Sequence, residues 1–189
     1  MSDIEQEVKD YSKYSMLCFY KNQVERVNLS LDNLIEENLS IISDKQSVSG
    51  EKLFENLIEK VELDIHNKDI LELKILVLHK NIEKVFKRHL EIIGLRPYDY
   101  YKFDKIKEVY IKEVDIYISK CKFYSSIKEV YEVSNAIKHS RVENFKNNIN
   151  PKEFQNKEKL KFEDLKKFYN RVFKESFEFF EELIKVNIL

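Results

Sequence analysis

Only two glycines and two prolines occur in 189 residues, and that scarcity constrains the fold more than any other feature of the chain. Strands reverse direction through turns rich in such residues, whereas long helices need few breaks. Gly50, Gly94, Pro97 and Pro151 each fall where the apolar repeat is interrupted, cutting the chain into four long pieces. No stretch alternates apolar and polar residues with a period of two, and no repeat recurs at a solenoid period. The expected fold is all-α, a bundle of four to six helices in a single domain spanning 1–189.

In the first piece, Leu17, Tyr20, Val24, Val27, Leu31, Leu34 and Ile35 recur at three and four residues. This spacing predicts an amphipathic helix that ends in the polar stretch SDKQSVSG, so residues 1–50 form a long N-terminal helix and loop. The second piece carries a pattern on Leu53, Leu57, Ile58 and Val61 and a stronger one on Leu71, Ile75, Leu78, Ile82, Val85 and Phe86, with a kink or short loop expected near His66 to Asp69. Gly94 then takes the left-handed position that ends a helix, and Pro97 prevents its resumption. The third piece runs from Asp104 to Arg141 with a break near Ser119 to Ser125, and the fourth from Phe162 to Val186, the most aromatic.

Charge and composition narrow the function classes. Thirty-three basic and 34 acidic side chains nearly cancel, so no overall field draws the protein to nucleic acid or an anionic membrane. No apolar run approaches the roughly 18 residues that a membrane span needs. Two distant cysteines and an opening MSDIEQEVKD without a signal-like pattern point to a reducing cytoplasm and buried free thiols. Gly-rich phosphate loops, Cys-x-x-Cys pairs and His-Glu-x-x-His are all missing, so no metal and no cofactor is expected. Among the histidines, His79 beside the Ile75, Leu78, Ile82 and Phe86 stripe reads as partly buried and hydrogen-bonded. His66 and His89 read as boundary or surface residues. The aromatic run Tyr98, Tyr100, Tyr101 and Phe103, interleaved with Lys102 and Lys105, reads as the cap of a bundle end or, alternatively, as a platform for stacking single-stranded bases.

The stretch YEVSNAIKHSR, residues 131–141, is different. At about 100° per residue, Phe123, Ile127, Val130 and Ile137 make the apolar side of its helix, and Lys128, Glu132, Asn135 and His139 line up on the other. That polar stripe is either a solvated face or one presented to a cleft, a ligand or a second subunit. An isologous pairing of two copies through it makes the chain a homodimer.

A long helix ending in Asn135-x-x-x-His139 within SNAIKHS resembles the HEPN domains (higher eukaryotes and prokaryotes nucleotide-binding). In that family the helix carries Arg, commonly then Asn, and a His four to six residues after the Arg. The upstream segment LVLHKNIEKVFKRHL, with Glu83 in an apolar frame, is similar to an earlier helix of the family, and the resemblance covers roughly residues 70–186, the HEPN-like core.

What the resemblance implies is metal-independent RNA cleavage in a toxin–antitoxin or phage-defence setting, with two motif helices bordering one cleft. His139 would take the proton of a ribose 2′-hydroxyl, and Asn135 would orient the histidine or the phosphate. The arginine that would clamp the phosphate is missing: Glu132, Val133 and Ser134 stand where it would be. Lys138, Arg141 or Arg96 of a second copy are the residues able to replace it. The expected function is therefore that of a HEPN-like module, catalytically weak or inactive, that binds RNA, a nucleotide or a protein partner such as an antitoxin or defence-system protein. The alternatives are an endoribonuclease using His139 as general base and a helical scaffold unrelated to the family.

Overall fold

A computed structural model describes residues 3–44, 53–95, 103–139, 151–155 and 161–186, and these hold five α-helices and no strand. They are α1 (Asp3–Asp44), α2 (Leu53–Ile92), α3 (Phe103–Val114), α4 (Tyr124–Lys138) and α5 (Phe162–Val186). The all-α bundle expected from the apolar period is what the chain forms, and α5 has the span its pattern predicts. Gly50, Pro97 and the tyrosines between Pro97 and Phe103 lie outside the described residues.

α1 and α2 make an antiparallel hairpin. The Asn38 amide donates to the Asn67 side-chain oxygen at 2.8 Å and Lys74 Nζ to Asp32 at 2.6 Å, so positions advancing on one helix meet positions receding on the other. Leu17, Val24 and Ile35 of the predicted α1 stripe are buried, whereas Leu34 is 46% exposed. α2 is one unbroken helix through His66 to Asp69, so no loop interrupts it there. None of those residues is Gly or Pro, and Asn67 is buried in its bond with Asn38, so the polar cluster serves the helix contact.

α5 runs parallel to α2, with Tyr169 beside Lys74 and Phe180 against Phe86. Lys74 Nζ sits 4.7 Å from the Tyr169 ring centroid, and the Tyr169 hydroxyl donates to Asn28 at 2.6 Å, tying three helices together. Phe86 is the centre of the core, ringed by Phe103, Tyr110, Phe179 and Phe180 with centroids 4.8–5.9 Å away, mostly edge to face. His89 belongs to this core and not to the surface: its Nδ1 is 2.6 Å from the Tyr110 hydroxyl and the rings stack. Its last-turn position on α2 hid that α3 folds over it.

Gly94 closes α2 with φ +91, as expected of a left-handed stop, and the Leu95 amide donates back to Leu90 at 2.9 Å. The break between α3 and α4 starts earlier than predicted, at Asp115, and includes a 3₁₀ turn over Ile118–Lys120. Asp115 (φ 56) and Phe123 (φ 63) both adopt the left-handed conformation, one easily reached by aspartate and strained for phenylalanine. This corner holds α3 and α4 as two short helices at one end of the bundle. The two cysteines are free thiols, Cys121 half-buried and Cys18 exposed rather than buried as expected. No helix among the described residues is long and apolar enough to cross a membrane.

Candidate functional site

The polar stripe of α4 faces a cleft. Lys128, Tyr131, Glu132, Asn135 and Lys138 recur at three and four residues and form one wall. His79 and Glu83 of α2 and Phe103 and Asp104 at the start of α3 complete a cavity of about 430 Å³. The opposite side of α4 buries Ile127, Val130 and Val133 fully, which fixes the rotation that points the stripe into the cleft.

The buried end of the cleft is a hydrogen-bonded cluster joining α2 to α4. Ser134 Oγ lies 2.7 Å from His79 Nδ1, and Lys138 Nζ lies 3.3 Å from the same nitrogen. An ammonium can only donate, so Nδ1 is the acceptor and the imidazole carries its proton on Nε2. That Nε2 has no hydrogen-bond partner among the described residues, and the nearest carboxylate oxygen, Glu83 Oε1, is 3.7 Å away. A buried donor without an acceptor is costly, and Nε2 is sealed from the open part of the cleft. The Tyr131 ring packs edge-on to the imidazole at 4.4 Å, and its hydroxyl donates to Glu83 at 3.3 Å.

Charge in the cleft is balanced by these contacts. Burial pushes the His79 imidazole down to about 4; Glu83 opposes the shift, and Lys138 and Lys80 add to it. The ring is neutral at pH 7. Burial works against the charge of Glu83, yet the Lys80 hydrogen bond at 3.0 Å and the Tyr131 hydroxyl hold it below the usual carboxylate range. Burial, followed by the Glu83 charge, pushes the Tyr131 phenol up to about 12. Glu83, Asp104 and Glu132 line the space against Lys128 and Lys138.

The structure brings Lys128, Glu132, Asn135 and Lys138 together on the cleft wall. His139 is exposed at the C-cap of α4, one residue past that lining. Arg141 and Arg96, the other candidate phosphate ligands, lie outside the described residues. Arg171 is committed elsewhere, bonded to Glu129 at 2.6 Å, Glu153 at 2.7 Å and Glu175 at 3.0 Å. Arg88 is paired with Glu91.

Sequence reasoning did not assign His79, Phe103, Asp104, Tyr131 or Ser134 to the site. Its reading of His79 as partly buried and hydrogen-bonded was sound, and the i, i+4 spacing of His79 and Glu83 was the one available signal for a polar pair on a shared face. Among the described residues no cluster of three His, Cys, Asp or Glu side chains could hold a metal ion. Comparison with protein-family models, with curated proteins and with solved structures finds no match to this chain.

Proposed function

We propose that this chain is a HEPN-like helical module of the toxin–antitoxin or phage-defence type that acts by binding, not by cutting, a nucleotide or an unpaired RNA base held in the α4 cleft. The observation that carries the reading is at Ser134. It is one of the three positions at which the family resemblance would put an arginine, and the residue present is a fully buried serine engaged with His79. No arginine among the described residues lines the cleft, and its three carboxylates outnumber its two lysines, which is adverse to clamping a phosphate in a transition state. What the cleft offers is the half-buried Tyr131 ring, backed by Phe103 at 5.0 Å, beside an acceptor on Glu83 and donors on Asn135 and Lys138. Stacking combined with paired donor and acceptor groups is the chemistry that reads a base edge.

Titration of the isotope-labelled chain with nucleosides, nucleotides and short single-stranded RNA in chelator tests this. Resonances of Tyr131, Asn135 and Lys138 should shift while the RNA stays intact. Cleavage that persists in chelator and vanishes in His139→Ala would instead establish the ribonuclease reading, which the exposed imidazole next to the cleft wall supports. If no nucleoside or RNA shifts any cleft resonance, the binding reading is abandoned for a helical scaffold.

A further inference from the structure

α1 and α2, of 42 and 40 residues, are each roughly 60 Å long, while α5 with 25 residues is roughly 37 Å. Because Tyr169 stands beside Lys74 and α5 begins two turns earlier, α5 reaches back only to about the level of Asn67 on α2. Past that level the hairpin continues as an arm. Leu57, Val61 and Ile65 stand four residues apart on α2, at the helical angles that Ile75, His79 and Phe86 occupy further along. The latter three are buried under α4 and α5; the former are 58%, 53% and 55% exposed. The apolar line that builds the core thus runs on beyond its cover.

Charge selects what can cover it. Residues 32–74 carry eleven carboxylates and five lysines, in a chain whose net charge is −1. Such an arm repels nucleic acid and anionic lipid, and it repels the identical arm of a second copy in an isologous pairing. It suits a helix whose apolar residues recur at three and four positions and whose flanks are lysine and arginine.

We propose that the exposed stripe Leu57, Val61 and Ile65 on the α1–α2 arm docks a basic amphipathic helix of another protein, laid along α2 in line with α5. This rests on the arm alone and is independent of what the cleft binds.

The test uses the full chain and a panel of synthetic amphipathic peptides of about 20 residues, long enough to span the stripe. Each basic peptide is paired with an acidic one of identical apolar face, and binding is read by fluorescence anisotropy. Basic peptides should bind at least about tenfold more tightly than their acidic partners, with affinity falling as salt rises. The double variant Val61→Ser/Ile65→Ser should lose at least about tenfold of that affinity with an unchanged circular dichroism spectrum, since both positions are more than half exposed. Equal binding of basic and acidic peptides, or no binding of any basic peptide, overturns the proposal. So does a dimer in light scattering that the double variant dissolves, because the occupant is then a second copy.

Discussion

Ser134 of α4 and His79 of α2, 55 residues apart in sequence, meet at 2.7 Å in the buried wall of the cleft. The contact orients the imidazole and sets which of its nitrogens faces Glu83. It also occupies the space in which a longer side chain at position 134 would have to fit.

Ser134→Ala should therefore cost about 1–3 kcal/mol, the range for removing one partner of a buried hydrogen bond. Urea unfolding monitored by far-ultraviolet circular dichroism gives the number, and a variant as stable as the parent would mean the bond contributes nothing. Ser134→Arg should be far worse, on the order of 4 kcal/mol or more, because it places an unpaired charge at a position with 0% exposure.

Glu132→Arg is the tolerated route to a cleft arginine. Glu132 is half-buried on the cleft wall, so its reversal places a positive charge in that space without entering the core. Affinity for single-stranded RNA should rise, and the gain should shrink with added salt. Filter binding at two ionic strengths checks both; an unchanged affinity counts against the cleft as an RNA site.

Acid should weaken the fold before the carboxylates titrate. Burial depresses both His79 and His89 from 6.5 to about 4. Below pH 6.5 the unfolded chain takes up protons at these positions while the native protein does not, so stability falls as pH drops from 6.5 towards 4. Each group contributes up to roughly 3 kcal/mol across that window. Urea midpoints at pH 7 and pH 5 should show the loss, and the slope should flatten in His79→Gln and His89→Gln. A flat profile in the parent would remove the buried neutral imidazoles from the account.

Arg171 joins α4, α5 and the turn at 151–155 through Glu129, Glu153 and Glu175. Its side chain is only 15% exposed, so Arg171→Ala leaves three partly buried carboxylates facing one another. The expected cost is about 3 kcal/mol, and Arg171→Lys should recover less than half, since one ammonium cannot reproduce the fork. Thermal unfolding of the two variants separates charge from geometry.

The face that carries Lys128, Glu132, Asn135 and His139 is also where the sequence expects two copies to pair. Light scattering at high micromolar concentration should then return twice the monomer mass of 22.9 kDa. A Glu132→Arg/Asn135→Arg variant should return the monomer. A parent that is monomeric throughout ends the homodimer reading.

Helix class, the span of α5 and the polar stripe of α4 were legible in the chain alone, because a 3.6-residue period and the placing of Gly94 are local properties. The same local view misjudged α2 at His66 to Asp69, where a polar cluster looked like a break; Asn38, across the hairpin, makes it a contact instead. It also put His89 at the surface, since only α3 folding back brings Tyr110 over it. What the α4 stripe faces was decided by tertiary structure. His79 and Glu83 come from another helix, and Ser134 turns inward to meet them. Periodicity states which residues share a face, but the groups opposite that face come from distant parts of the chain and are placed by packing the core around Phe86.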